Sequence, residues 1–317
     1  VLAVTAHDHL AEIAPTGPLA DGPVAVLANP LAGRGRHRGL LPTALDRLGA
    51  VGRAVRLLDA RTAAEAQAAC HAAVADGAAA VVAMGGDGTV HLALQAVAGT
   101  AVAFGPVPVG TGNDFSIGTG YPADPLAAVD VITSALVAGR TRPVDLARMT
   151  GADGVDRWYG AVLAAGFDAI VNEQANRMRW PRGPRRYDLA ILIELARLRP
   201  RRYTLRLDGV AQQVDAVLVA VGNCASYGGG MRICPAADPT DGLLDVVVGG
   251  RFSRRELMRI KPRVYQGTHV THPLVDSYRA TTVELDAEDI TAYADGERVA
   301  PLPITVTAVP GALRLLR

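Results

Sequence analysis

Aromatic residues make up only 4% of the 317-residue chain. Single-strand nucleic-acid binders stack bases on aromatic platforms, so this scarcity speaks against that class. Charge of one sign is missing too. Lysine and arginine, 32 together, are met by 31 acids, and a net charge of +1 creates no global field for nucleic acid. Cys70, Cys224 and Cys234 are odd in number and lack CxxC spacing. That argues against a disulfide framework and a zinc site, and fits a reducing, cytoplasmic setting. The seven histidines show no pairing at metal spacing. No apolar run approaches the roughly 20 residues that span a bilayer. Residues 1–22 lack a basic segment, carry Asp8 and Glu12, and read as a loose leader rather than a signal peptide. Two phosphate signatures are absent: there is no GxxxxGK[ST], and no GxGxxG with an acid about 20 residues on.

Half of the chain is hydrophobic, and its length suits about two domains. From Val24 short apolar runs alternate with helical patterns: VAVLAN, AVRLLDA, AAAVVAM and AVAFGPVPVG against RGLLPTALDRLGA, a stretch opened by Thr62 and Glu65, TVHLALQAVAG and PLAAVDVITSALVAG. Thr62-x-x-Glu65 reads as a capping box, and Thr89 as the start of the third helix. This order predicts an α/β domain at 23–143 with a parallel, fully buried sheet. After it the texture becomes short strands separated by turn residues, an all-β domain at 144–317. Two helices are expected within it, Arg186–Leu198 and SRRELMRIKPRVYQG, and GALRLLR is free to return to either domain.

Three strand ends of the first domain are glycine-rich: Asn29-Pro30-Leu31-Ala32-Gly33-Arg34-Gly35, Gly85-Gly86-Asp87-Gly88-Thr89 and Gly110-Thr111-Gly112-Asn113-Asp114. Backbone N–H groups in such loops form anion nests, and a following helix adds its positive end. Open parallel sheets bind ligands at the carboxyl ends of their strands. Three candidate cradles at one sheet edge suggest a nucleotide.

Together NPLAGRG, GGDGTV, GTGNDF and the distant Asp295-Gly296-Glu297 resemble the diacylglycerol kinase catalytic domain family. That family includes bacterial lipid kinases, sphingosine kinases and ceramide kinases, with NAD kinases as distant relatives. The resemblance implies an α/β nucleotide domain followed by a β-sandwich, with the active site in the cleft between them. It implies transfer of the ATP γ-phosphate to a lipid hydroxyl, with a diacylglycerol-like or long-chain-base acceptor and Mg2+.

The same resemblance assigns roles. Backbone of Asn29, Pro30, Leu31, Ala32 and Gly33 and of Gly85, Gly86, Asp87, Gly88 and Thr89 would hold the phosphates, with Arg34 neutralising charge. Thr62 and Thr111 match nucleotide contacts, and Asn113 and Asp114 would order their loop. Asp87 and Asp114 are candidates for the magnesium ion. Glu297 is favoured as the proton acceptor, with Asp295 close behind; a plain turn is the competing reading of ADGERV. By the resemblance CPAADPTDGLLDV implies a structural magnesium held by the Asp241 side chain and the carbonyls of Asp238 and Leu243. The family often has Ala-Arg where Ser116-Ile117 stand here, so a cationic contact is missing. Arg34, Arg36 or the run Arg177 to Arg186 could replace it. That run surrounds Trp180 and suits an anionic lipid surface as well as a solvated loop.

Two other functions compete. An NAD kinase would share GGDGT but not NPLAGRG or GTGNDF. A catalytically weak nucleotide- or lipid-binding regulator would find support in Ser116-Ile117. The expected partners are a lipid substrate and the inner membrane face, touched transiently, with no nucleic acid. Oligomeric state, a homodimer included, is left open.

Overall fold

The computed structural model describes residues 17–29, 32, 39–178, 180 and 184–317, with backbone alone for 184–188. The chain forms two compact units. The first holds the described residues up to Leu146 together with Pro239–Gly242 and Val309–Arg317; the second holds Ala147–Asp238 and Leu243–Ala308. Among the described residues no helix is long and apolar enough to cross a membrane.

In the first unit β1 (Val24–Ala28), α1 (Leu40–Gly49), β2 (Val55–Leu58), α2 (Ala63–Ala75), β3 (Ala80–Gly85), α3 (Asp87–Val97), β4 (Ala103–Pro108), α4 (Asp114–Gly118) and α5 (Pro125–Ala138) follow one another. The strands pair in parallel as β2-β1-β3-β4, with Val24 level with Val55 and Ala80, and Ala80 level with Ala103. Every residue of β3 and β4 is buried, which is why both read as unbroken apolar runs. β4 carries Pro106 and Pro108, which donate no ladder bond. Ala103 and Val109 donate to the β3 side, at the carbonyls of Ala79 and Gly85, so even-numbered residues face away from β3. There the partner strand pairs only with Ala103 and Phe104, so neither proline interrupts a ladder.

The helix ends follow local chemistry. Thr62 Oγ1 accepts the Glu65 N–H at 3.2 Å, but the Glu65 carboxylate returns to the N–H of Arg61 at 2.8 Å, one residue short of the reciprocal box expected. Asp124 caps α5 through the Ala127 N–H, and Gly139 ends it at φ +61. α3 starts at Asp87 rather than at Thr89, so the acid belongs to the first helical turn and not to a loop.

The second unit takes over within β5 (Thr141–Gly151). It continues with β6 (Asp156–Tyr159), β7 (Val162–Gly166), α6 (Phe167–Arg177), α7 (Pro184–Ala196), β8 (Arg201–Leu207), β9 (Val210–Ala216), β10 (Leu218–Gly222), β11 (Leu244–Gly249), α8 (Arg254–Gln266), β12 (Val275–Ala280), β13 (Thr282–Asp286), β14 (Thr291–Ala294), β15 (Glu297–Pro301) and β16 (Ile304–Leu316). One antiparallel sheet runs β12-β11-β10-β7-β14-β15, and β13 joins β16 to β8 and β9 in another. Alternate residues of both, among them Leu163, Ala165, Leu205, Val219, Val246 and Val283, fill one core, as in a β-sandwich. The buried hydroxyls of Tyr159 and Tyr203 donate to the carbonyls of Val221 and Ala165, each at 3.1 Å. Three α-helices, not two, lie in this unit among the described residues. The last residues of β16 pair in parallel with β4, Arg314 level with Ala103, and complete the first unit's sheet.

Candidate functional site

The parallel register of the first unit brings the carboxyl ends of β1, β3 and β4 to one edge. Val109 N–H donates to Gly85 O at 3.0 Å and extends the β3–β4 ladder to the last residue of β3. Beyond that bond the two loops touch backbone to backbone. A Cβ on Gly110 would lie 2.4 Å from the Cα of Gly86, so this contact admits glycine alone. Gly85 is equally constrained, because a Cβ there would lie 2.1 Å from Thr89 Oγ1.

Asp87 locks the pair together. Its Oδ2 accepts the backbone N–H of Asn113 at 2.8 Å. Asn113 takes the left-handed conformation, φ +60, just before α4. Its side-chain Oδ1 accepts the Gly110 N–H at 2.9 Å and its Nδ2 donates to the Gly110 carbonyl at 3.2 Å. Within α3 the Gly86 carbonyl accepts the N–H groups of Thr89 and Val90, so those of Asp87 and Gly88 precede the first intrahelical bond. Such first-turn N–H groups, with the positive helix end, suit a bound phosphate.

Of the other expected nucleotide residues, those described lie along the same edge of the sheet. Asn29 donates its N–H to Met84 O at 3.0 Å, one residue before Gly85, and its carbonyl accepts from Ala32 N–H at 3.1 Å. Pro30, Leu31, Gly33 and Arg34 lie outside the described residues, as does Arg36. Asp114 is buried at the start of α4, and Thr111 is exposed beside it. Thr62, exposed at the start of α2, follows β2, two strands from β3 along the same edge.

In the second unit Asp295 and Gly296 form the two-residue turn between β14 and β15, with φ +52 and +85. Both signs are those of a type I′ hairpin turn. The Asp295 carboxylate does more than turn the chain. Its Oδ1 accepts the Ala161 N–H at 2.8 Å and its Oδ2 the Gly160 N–H at 3.0 Å. Glu297, two residues on, is exposed.

Asp238 and Asp241 are exposed on the turn before β11. The turn is held by Asp145, a buried residue of β5 whose N–H donates to Pro239 O at 2.8 Å. Asp145 Oδ2 accepts the Gly242 N–H and Oδ1 the Gly311 N–H, both at 2.7 Å. Among the described residues no three His, Cys, Asp or Glu side chains gather closely enough to hold a metal alone. Magnesium bound through one or two carboxylates, water and substrate phosphates needs no such cage, and the acids at the first turns of α3 and α4 have that chemistry. An all-oxygen set at 238–243 likewise suits a hard cation.

Three acids went unread in the sequence. Asp145 sits between apolar residues of RPVDLARM, and that break in a buried strand is its only signal. Asp168, at the start of α6, is buried and accepts the Tyr227 hydroxyl at 2.7 Å. Burial pushes its carboxyl above the usual range, while the bonds from Tyr227 and the Ala169 N–H pull the other way. Glu173 accepts from Tyr293 at 2.7 Å and Arg298 at 3.2 Å, tying α6 to the hairpin of Asp295 and Glu297. Those bonds hold its carboxyl below the usual range, the Tyr293 hydroxyl contributing most. In the basic run Arg177 pairs with Glu173 at 3.0 Å and Trp180 is exposed; Arg179 and Arg182 lie outside the described residues. The three cysteines are free and buried.

Residues 23–149 match the diacylglycerol kinase catalytic domain, and residues 161–317 match the YegS C-terminal NAD kinase beta sandwich-like domain. A diacylglycerol kinase of Mycobacterium tuberculosis is 44% identical over 298 residues, spanning 93% of this chain and 95% of that protein. A Klebsiella pneumoniae protein named "Probable lipid kinase YegS-like" is 28% identical over 237 residues, 74% of this chain and 76% of its own. The crystal structure of a diacylglycerol kinase from Bacillus anthracis superposes with a TM-score of 0.70 at 21% identity, over 94% of this chain and 97% of that one. An NAD kinase from Archaeoglobus fulgidus in complex with ATP reaches 0.55 at 15% identity, over 93% of each chain. These two share the fold.

Proposed function

The chain belongs to the diacylglycerol kinase catalytic domain family, and we propose that it transfers the γ-phosphoryl group of ATP to the hydroxyl of a diacylglycerol-like lipid. The observation that carries this reading is the joint of the two glycine loops, with Asp87 bound to Asn113 at the positive end of α3. The 44% identical relative carries the name diacylglycerol kinase, which favours that acceptor over a long-chain base.

Phosphoryl transfer asks a protein mainly for positioning and charge stabilisation. Backbone N–H groups at Gly86 to Gly88 would hold the phosphates, with Asn29, Ala32, Thr62 and Thr111 as further contacts. When bound, magnesium would neutralise charge on the transferring phosphate; Asp87 and Asp114 are the residues to hold it. The lipid oxygen forms the new O–P bond, the bond from the γ-phosphorus to the ADP oxygen breaks, and the hydroxyl proton passes to Glu297. Asp295, bound to two backbone N–H groups, would fix the turn that presents Glu297. A second, structural cation would sit at Asp241 with the carbonyls of Asp238 and Leu243.

The test is incubation with labelled ATP and magnesium against diacylglycerol, a long-chain base, ceramide, a polyprenol and NAD, with products identified by mass. Phosphatidate is the expected product. Labelled NADP with no labelled lipid would overturn the proposal.

A further inference from the structure

One helix of the second unit has a face that the fold leaves uncovered. With 3.6 residues per turn, Leu257, Ile260 and Val264 share one side of α8. Ile260 is buried in a cluster with Phe252 and Val217, with Leu257 packed beside it, and Val264 packs on Ile233, Cys234 and Val247. The opposite side presents Arg255, Met258, Arg259, Pro262 and Tyr265, all exposed, with Lys261 on its flank. Met258 is 52% and Tyr265 47% exposed.

The charges on this helix are one-sided. Its only acid, Glu256, closes a capping box by accepting the Ser253 N–H at 2.8 Å. Arg263 is turned to the helix end, where it donates to Thr268 O and Thr271 Oγ1. Arg254 donates to the Ala196 carbonyl. Arg255, Arg259 and Lys261 make no ion pair among the described residues, whereas nearby Arg251 is matched by Asp215 and Arg279 by Asp245. Cations alone would be an ordinary solvated face. Cations interleaved with a large thioether and a phenol on the same side have the composition of a helix that lies in a lipid interface.

We infer that the outer face of α8 docks on an anionic lipid bilayer. Arg255, Arg259 and Lys261 meet lipid phosphates, and Met258 and Tyr265 enter the boundary between headgroups and acyl chains. The patch acts locally, since the chain as a whole carries only +1. The basic run around Trp180, the other candidate for this contact, has its Arg177 already paired with Glu173.

Vesicle co-sedimentation of the full chain without nucleotide tests this independently of the kinase reading. The vesicles are phosphatidylcholine alone, or phosphatidylcholine mixed with phosphatidylglycerol, at low and high salt. Binding to the mixed vesicles only, weakened by salt, is expected. Each cation removed should cost roughly fivefold, so R255Q/R259Q/K261Q should bind about a hundredfold more weakly. M258A/Y265S should also bind more weakly yet keep the salt dependence. Neither variant should shift the thermal melt, because the altered side chains are exposed. Unchanged vesicle binding in the triple variant would overturn the inference. So would loss of binding in R177Q/W180A alone, or tighter binding of a DNA duplex than of the mixed vesicles.

Discussion

Asp87 and Asn113, 26 residues apart, are joined by a 2.8 Å hydrogen bond from the backbone N–H of Asn113 to the carboxylate of Asp87. The bond gives Asp87 two separable duties, an acceptor for backbone and a negative charge. Asp87→Asn keeps an oxygen for Asn113 and loses the charge. It should retain its thermal midpoint and lose on the order of 100-fold or more in ATP-dependent turnover. Asp87→Ala should lose turnover and also about 1–3 kcal/mol of stability. Calorimetry beside a phosphorylation assay separates the two; full turnover in Asp87→Asn would remove Asp87 from the mechanism.

Gly110 is held against Gly86, with no room for a methyl group. Gly110→Ala must part the two loops, so it should weaken nucleotide binding at least tenfold and cost about 1–3 kcal/mol. Gly139→Ala is the control: its φ is +61 but the space around it is open, so it should cost about 1 kcal/mol and leave nucleotide binding alone. Nucleotide titration of both variants checks this.

Asp145 binds the N–H groups of Gly242 and Gly311 with separate oxygens, both at 2.7 Å. Asp145→Ala takes the acceptor from the buried Gly311 N–H and the half-buried Gly242 N–H, and should cost about 2–3 kcal/mol in denaturant unfolding. Asp145→Asn retains one acceptor and should cost less. Equal losses in the two variants would mean that the charge, not the two bonds, matters.

Asp168 has a pKa raised by burial, so between its unfolded and folded values the folded state holds more protons. This group therefore subtracts stability as pH rises through that window, which opens near the unfolded value of about 3.9. Asp168→Asn removes the titration, and the Tyr227 hydroxyl can turn to accept from the amide. The variant should gain on wild type as pH rises above about 4, read as the difference between their melts. A difference that does not change with pH would contradict the burial argument.

Local chemistry made much of this readable in advance. Thr62 and Glu65 announced α2, Pro125 and Gly139 bracket α5, and GGDGTV with GTGNDF pointed to the two loops that meet at Gly86 and Gly110. What escaped was what sequence-distant packing decides. α6 follows β7 without a break: Gly166 gives it no side-chain cap, and its apolar residues continue the strand's apolar run. α3 starts two residues before the Thr89 that the sequence suggests, because Asp87-Gly88 has the composition of a loop and only the Gly86 carbonyl, accepting from Thr89 and Val90, draws it into the helix. The clamp of Asp295 on Gly160 and Ala161 spans more than 130 residues, and no local pattern around ADGERV could reveal it.

β16 closes the first unit's sheet with residues made after the second unit. Arg314 donates to the carbonyl of Ala101, 213 residues earlier, and Leu315 pairs with Phe104. As the chain leaves the ribosome, β1, β3 and β4 are available early, yet the outer edge of β4 stays uncovered until Val309–Arg317 emerge. An uncovered edge invites pairing with other chains, and closing so long a loop is slow. Synthesis therefore withholds a finished first unit until the second unit has been translated, and a nascent chain stopped at Ala308 would carry the Gly86–Gly110 joint beside an open, aggregation-prone strand.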